Sequence, residues 1–229
     1  MSDDDGARIT ARPNGPLLVN GSVPLVRKTA ALSEHGEPLT WITGGPVTDA
    51  ANYALCRCGA SGKKPFCDGT HAKVGFDGTE TAPGPAEGAG TYDGRSKPLG
   101  GTGITVRDDR SICVHAGFCG TRVTNVWKEM KGTDESTVRL AVINAVEKCP
   151  SGALTYRFEG ADADAEPDYP TQIGIIDDGP LWVTGGIPVT TSDGRELEVR
   201  ARVTLCRCGA SGNKPLCDGS HKEAGFTDA

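Results

Sequence analysis

The chain has 229 residues, carries a formal net charge of −6 at pH 7, and only 5% of its residues are aromatic. This length is generous for one domain and short for three ordinary ones, and the 32 glycines and 15 prolines indicate many loops around small cores. The negative charge comes without a basic stripe, which argues against nucleic-acid binding. No apolar run approaches the roughly 18 residues of a membrane span, so no membrane-spanning segment is expected.

The first predicted elements are short β-strands. The runs Gly15–Gly21 and Val23–Val26 are apolar, β-branched and punctuated by glycine, a pattern typical of strands joined by tight turns. Similar runs, Gly179–Gly185 and Ile187–Val189, occur near the other end of the chain. The segment Leu39–Pro46 has no counterpart there and no predicted role. The two ends therefore resemble copies of one β-rich module.

One segment of 16 residues occurs twice, once in each module. It reads CRCGASGKKPFCDGTH at Cys56–His71 and CRCGASGNKPLCDGSH at Cys206–His221. Each copy offers three thiols and one imidazole, and thiolate is the ligand that favours zinc or iron–sulfur clusters over hard cations. The repeated segment therefore predicts two metal centres in one chain.

The spacing within the motif predicts two pairs of ligands. Residues i and i+2 of an extended segment project to the same side, so Cys56 and Cys58 can reach one iron. Cys67 and His71 are four apart and suit one turn of helix, with Asp68 placed to cap its start. Two pairs are what a two-iron cluster requires. The second copy offers the same pairs in Cys206, Cys208, Cys217 and His221.

Zinc is the alternative occupant, because a set of three cysteines and one histidine also suits zinc. Zinc sites usually separate their cysteines by two to four residues, and C-x-C is unusual for them. Glycines follow the cysteines in both copies, and we expect them to let the backbone approach inorganic sulfides and donate hydrogen bonds to them. These glycines are Gly59, Gly69, Gly209 and Gly219.

The middle of the chain follows a different plan. The Gly- and Pro-rich segment Asp77–Lys97 precedes it and is predicted to be a linker. Ile104–Val106 and Leu154–Phe158 alternate like strands, and apolar residues between Val138 and Val146 recur at helical spacing. Thr133 or Asp134 is expected to cap that helix, and Pro150 to end it.

A third group of cysteines lies in this middle region. Cys113 and Cys119 keep the outer positions of a ferredoxin-like run, Ala116 replaces its central cysteine, and Cys149 precedes a proline. Three thiolates without the central one suit a [3Fe–4S] cluster. A [4Fe–4S] cluster would need a fourth ligand, for which His115 and hydroxide are candidates; a hydrogen bond from His115 to a cluster sulfide is the preferred interpretation.

The nine cysteines thus form three groups of three, with none left over. The opening Met1–Gly6 has the pattern of neither a signal peptide nor a membrane anchor. An odd number of thiols without an export signal argues against a disulfide framework. We expect a cytoplasmic protein whose cysteines are reduced and bind metal.

Both outer motifs resemble the CDGSH iron–sulfur family. The pattern C-x-C-x2-S-x3-P-x-C-D-G-[ST]-H is complete in each copy, including Ser61, Pro65, Ser211 and Pro215. The resemblance implies a [2Fe–2S] cluster held by three cysteines and one histidine, on a small β-rich fold whose two cluster-binding units pair. Carried over to this chain, the ligands are Cys56, Cys58, Cys67 and His71 in the first copy, and Cys206, Cys208, Cys217 and His221 in the second.

The middle region, over about Gly103–Phe158, resembles the divergent single-cluster ferredoxin family, which shows C-x-H-[AS]-G-x-C followed later by CPSGAL. We therefore predict an α+β, mostly β fold in which two CDGSH modules pack as a pseudo-two-fold pair around an inserted ferredoxin-like module. The predicted boundaries are 1–80 and 173–229 for the CDGSH modules, 98–159 for the ferredoxin-like module, and 81–97 and 160–172 for the linkers.

The expected function is electron transfer by a multi-cluster protein that is not an enzyme, with proton-coupled redox at His71 and His221. It would hold two [2Fe–2S] clusters and one [3Fe–4S] or [4Fe–4S] cluster. The alternatives are an iron–sulfur cluster donor or redox or pH sensor, and the electron-supplying component of a larger oxidoreductase. Expected partners are redox proteins or an apo-protein that accepts a cluster, with no nucleic acid and no membrane. A monomer with an internal pseudo-dimer is expected.

Overall fold

The computed structural model describes residues 6–84 and 91–228. Residues 1–5 of the opening segment Met1–Gly6 and residues 85–90 of the predicted linker 81–97 lie outside the described residues. The strands are β1 Arg8–Ala11, β2 Leu17–Asn20, β3 Leu25–Leu32, β4 Pro38–Thr48, β5 Tyr53–Leu55, β6 Lys97–Gly100, β7 Ile104–Asp108, β8 Leu154–Phe158, β9 Gln172–Ile176, β10 Leu181–Thr184, β11 Val189–Thr190 and β12 Arg202–Leu205. The helices are α1 Thr70–Lys73, α2 Tyr92–Arg95, α3 Val126–Glu129 and α4 Ser136–Glu147.

The two outer modules exchange strands. One sheet has the order β11-β1-β2-β5 and the other β12-β10-β9-β3-β4, so the first contains one strand of the second module, β11, and the second contains two strands of the first module, β3 and β4. β1 lies parallel to β11, with Ile9 opposite Val189. β3 lies parallel to β9, with Leu25 opposite Ile173. The prediction of a mostly β fold with a pseudo-two-fold pair of modules is confirmed.

The strand exchange differs in detail from the expectation. Because the two modules share these apolar runs, the sequence predicts contacts between Leu17–Val26 and Leu181–Val189 as part of the shared β-structure. Leu25 and Val189 do lie in cross-module pairs, but their partners belong to β1 and β9, two strands that the sequence analysis missed.

The strand exchange produces one shared core. Its central side chains come from both modules and are at most 4% exposed. A module of about 60 residues buries too little apolar surface to be stable alone, so merging two cores compensates for the small size of each. The shared core includes Ile9, Leu17, Val19, Leu25, Leu55, Ile173, Ile175, Leu181, Val183, Val189 and Leu205.

The central module is a three-stranded antiparallel sheet, β6-β7-β8, packed against α4. The predicted strands at Ile104 and Leu154 are confirmed, and α4 ends before Pro150 as expected. The predicted cap is wrong: α4 begins at Ser136, after Glu135. The hydroxyl of Thr133 is buried and engaged elsewhere, because it donates to the Met130 carbonyl and accepts from the Thr102 N–H.

The longest helix, α4, has 12 residues. Within residues 6–84 and 91–228, no helix combines the length and the apolar character that crossing a bilayer requires.

The β3–β4 hairpin gives the unassigned segment Leu39–Pro46 a structural role. Trp41 on β4 lies with its ring centroid 4.7 Å from that of Phe118 and 5.3 Å from that of Trp182. Its indole N–H donates to the Lys148 carbonyl at 3.0 Å. Near the tip of the hairpin, the Glu37 carboxylate accepts a hydrogen bond from the Arg122 N–H. The hairpin therefore holds the central module against the outer pair.

Candidate metal centres

The first motif brings its four predicted ligands together in two pairs. Cys56 follows β5 directly, and its Sγ lies 3.7 Å from that of Cys58. The Cys67 Sγ lies 3.4 Å from Nδ1 of His71. Helix α1 begins at Thr70 after Gly69, so Asp68 is not the capping residue that the spacing predicted. Its carboxylate still accepts from the N–H groups of Thr70 and Gly62, at 3.0 and 2.9 Å.

The second motif repeats this geometry. The sulfurs of Cys206 and Cys208 are 3.6 Å apart, and the Cys217 Sγ lies 3.5 Å from Nδ1 of His221. The residues from Ser220 onward form a turn where the first motif has α1. The nine cysteines are free thiols. Of the residues described, no three His, Cys, Asp or Glu side chains converge as the ligands of a single ion; what each motif assembles is two pairs.

A buried arginine lies between the two cysteines of each C-R-C segment and anchors that motif to the backbone around it. In the sequence C-R-C the arginine points away from its neighbours, and Arg57 and Arg207 are 1% and 2% exposed. Arg57 pairs with Glu80 and donates to the Gly78 carbonyl at 2.9 Å. Arg207 pairs with Asp228. Neither arginine was predicted, although their repetition between the two cysteines of each copy is a visible signal in the sequence.

The ionisation of the thiols fits a cationic occupant. A hydrogen bond with the Cys208 thiol lowers the pKa of Cys206 to about 6, and the same bond raises the pKa of Cys208. Burial raises the pKa of Cys217 to about 12. Buried thiols close together resist ionisation unless a metal compensates their charge, and metal coordination deprotonates a thiol outright. A set of three thiols and one imidazole therefore suits a metal centre of the kind that the motif predicts, an iron–sulfur cluster or zinc.

The two outer motifs touch through their glycine turns. Cys58 and Cys208 form an antiparallel bridge between the motifs. Gly59 has φ = +77°, and a Cβ added to it would lie 2.5 Å from the carbonyl oxygen of Cys208. A Cβ on Gly209 would lie 2.8 Å from the Cys58 carbonyl oxygen. These two glycines are thus required for the close approach of one motif to the other, a reason the sequence analysis did not foresee.

The central cysteines surround a cavity of about 160 Å³. Cys113, Cys119 and Cys149 all line it, together with His115 and Trp127. Burial raises the pKa of the Cys119 thiol, and the nearby thiols of Cys149 and Cys113 raise it further. Three thiols gathered in a cavity fit a cluster here as well. Asp108, which the sequence analysis did not select, also lines the cavity, and its Oδ1 is buried without a hydrogen-bond partner.

Arginines of β12 and the segment before it support Cys149 from the second CDGSH module. Arg202 is 1% exposed and donates to the carbonyls of Val146 and Glu147 at the end of α4, each at 3.2 Å, and to that of Leu154 at 2.9 Å. A cation at a helix C-terminus also interacts favourably with the helix dipole. Arg200 donates to the Gly152 carbonyl at 2.8 Å. The two side chains hold the backbone on both sides of Cys149, and neither was predicted.

The loop of the central site packs on the second motif. His115 has φ = +53°, and its Cδ2 would lie 2.8 Å from a Cβ on Gly219. The His115 carbonyl accepts a hydrogen bond from the Lys222 ammonium at 2.5 Å, and the Asn213 amide donates to the Ser111 carbonyl at 3.1 Å. His115 therefore lies between the central cavity and the second motif. Whether it binds a cluster iron or a sulfide stays a prediction.

Sequence comparison agrees with this arrangement. The family profile described as "Iron-binding zinc finger CDGSH type" matches residues 14–72 and 178–222. The profile described as "Divergent 4Fe-4S mono-cluster" matches residues 99–159 between them. The chain is an iron–sulfur protein that contains two segments similar to the CDGSH type and, between them, one similar to the divergent 4Fe-4S mono-cluster type. No curated protein matches it significantly.

Each of the three matched segments encloses one predicted ligand set. The first segment contains Cys56 to His71, the second contains Cys206 to His221, and the central one contains Cys113 to Cys149. The predicted recognition of both families is confirmed. The module boundaries and the individual ligands stay predictions.

Proposed function

We propose that the chain is a multi-cluster electron-transfer protein without substrate chemistry of its own. In this proposal each outer motif holds a [2Fe–2S] cluster and the central site holds a [3Fe–4S] cluster, with [4Fe–4S] as the alternative. Bound clusters would supply one-electron redox chemistry. The proposed ligands are Cys56, Cys58, Cys67 and His71; Cys206, Cys208, Cys217 and His221; and Cys113, Cys119 and Cys149.

The observation that carries this proposal is the direct contact between successive sites. The first motif touches the second through the Cys58–Cys208 bridge. The second touches the central loop where Gly219 meets His115. The three donor sets therefore form a row with the second motif in the middle. Such a row suits electron exchange within one chain.

Two other functions remain open to test. His71 is only half-buried, and an accessible histidine ligand favours the alternative of a cluster donor or redox or pH sensor. The second alternative is the electron-supplying component of a larger oxidoreductase. We also propose that the protein acts in the cytoplasm as a monomer, because strand exchange within the chain already covers the surface that two separate modules would use to pair.

Stoichiometry provides the first test of the proposed function. We expect about seven irons per fully loaded chain, since two [2Fe–2S] clusters and one [3Fe–4S] cluster are proposed. Anaerobic visible and EPR spectra with iron and sulfide counts measure this directly, and the EPR signal of an oxidised [3Fe–4S] cluster should disappear on reduction. Stoichiometric zinc without visible absorption would end the iron–sulfur proposal. Transfer of clusters to an apo-ferredoxin, without reversible reduction, would favour the donor function.

The histidines predict a pH-dependent potential at the outer sites. With Nδ1 beside the neighbouring thiol in each motif, the other ring nitrogen of His71 and His221 can hold or release a proton. We therefore propose that electron uptake and proton uptake are coupled there. Between the pKa values of the oxidised and reduced states, the potential should fall by roughly 59 mV per pH unit for one electron and one proton.

Replacing each histidine by cysteine tests this coupling. His71→Cys and His221→Cys should each lower the potential of one outer cluster, because thiolate adds negative charge, and should remove its pH slope. Each should also slow the loss of that cluster in acid. His221 is buried and His71 is half-buried, so loss of the second cluster in acid should need a lower pH than loss of the first. Potentiometry and visible spectra across pH 6–8 measure both effects; flat wild-type potentials would exclude the coupling.

A further inference from the structure

The two CDGSH motifs are almost identical in sequence but differ in burial. Cys217 and His221 are buried, with 2% and 6% of their surface exposed. The equivalent residues Cys67 and His71 are half-buried. This difference arises because the central loop covers the second motif, where a Cβ on Gly219 would lie 2.8 Å from the His115 ring. At the equivalent Gly69, a Cβ would have no atom within 4 Å.

The contacts between the second motif and the central loop show which residues of the first motif are left uncovered. In the second motif, Asn213 and Lys222 donate to the central loop and Gly219 lies against it. The equivalent residues of the first motif are Lys63, Gly69 and Ala72. Together with the next two residues, Lys73 and Val74, they form a surface that we call the open face.

The open face has its own chemistry. Lys63 and Lys73 are exposed, and they stand where the second motif has Asn213 and Glu223. Val74 is 54% exposed and stands where the second motif has Ala224. The open face is therefore more positively charged and more apolar than the covered one. A patch that combines exposed apolar surface with positive charge fits a partner of negative charge.

We propose that the open face docks the cluster-binding loop of a separate, acidic, ferredoxin-type protein, in the way that the loop from Ser111 to His115 docks on the second motif. The inference rests on the proposed electron-transfer function and assigns its partner and docking site. The contact between the central loop and the second motif indicates what kind of partner fits, because a ferredoxin-type loop already packs against the turn at Gly219, which is equivalent to the turn at Gly69. Lys63 and Lys73 supply the preference for an acidic partner, since such charges accelerate and select electrostatic encounters.

The test uses the full chain with its clusters and a purified acidic single-cluster [4Fe–4S] ferredoxin as probe. Hydrogen exchange should show protection of residues 63–76 on binding, and not of residues 213–226. The double variant Lys63→Asn/Lys73→Glu, which gives the first motif the residues of the second, should weaken binding about tenfold at low ionic strength. Added salt should also weaken the binding of the wild-type chain to the probe, because it screens the charges of the two lysines.

The control is Lys131→Glu, which removes an exposed lysine of the central module. It should leave the dissociation constant within about twofold of wild type. Three results would overturn the inference: protection at residues 213–226, an unchanged dissociation constant in the double variant, or a second copy of the chain that covers the open face at micromolar concentration. Iron, sulfide and visible spectra of the same samples report on the proposed function separately: clusters present without probe binding contradict the docking site alone.

Discussion

Gly59→Ala is expected to destabilise the protein by about 3 kcal/mol, since a left-handed backbone costs a non-glycine residue roughly 1–2 kcal/mol and overpacking costs about as much again. Gly59 has φ = +77°, and its added Cβ would lie 2.5 Å from the carbonyl oxygen of Cys208. Neither backbone can move away without breaking the bridge between Cys58 and Cys208. The midpoint of urea unfolding, followed by far-ultraviolet circular dichroism, measures the loss.

Gly69→Ala separates the clash from the backbone strain. Gly69 has φ = +86°, but a Cβ there would meet no atom within 4 Å. The free energy of unfolding of this variant should therefore fall only by the cost of the left-handed backbone, about 1 kcal/mol. Equal losses in the two variants would show that the approach of the two motifs contributes nothing to stability.

Arg202→Met is expected to cost about 3–5 kcal/mol, the range found when one partner of a buried charged network is removed. Methionine replaces the arginine side chain only as far as Nε and cannot donate to the carbonyls of Val146, Glu147 and Leu154. It also leaves the Glu166 carboxylate, 3.3 Å from the guanidinium, without its cation. Because these carbonyls flank Cys149, the central cluster should be lost before the outer ones.

The measurement compares urea midpoints and the EPR signal of the central cluster in the variant and in Arg122→Met. Arg122 is exposed on the same central module, and a substitution at such a position usually changes stability by less than about 0.5 kcal/mol. Retention of the central cluster and of wild-type stability in Arg202→Met would show that the arginine does not support Cys149.

The elements with a local signal were predicted well. Leu154–Phe158 alternates as a half-buried strand does, and β8 has those bounds. Strand β9 was missed because Gly174 interrupts its apolar run, and a glycine inside a strand lowers the expectation of one. In the fold this glycine is needed, since a Cβ there would lie 2.6 Å from Cγ of Lys28 on the exchanged strand β3. The need for glycine at position 174 therefore becomes visible only when β3 is paired with β9.

The sequence by itself determined the two pairs of neighbouring donor side chains in each CDGSH motif, because C-x-C and C-x3-H keep the two members of each pair within four residues of each other. The sulfurs of Cys56 and Cys58 accordingly lie close together, 3.7 Å apart. The tertiary structure alone decided which motif is covered. Lys222 meets His115 across 107 residues of sequence, and Arg202 reaches the end of α4 across 56. Such contacts depend on the packing of three modules, so nearly identical motifs acquire different surroundings.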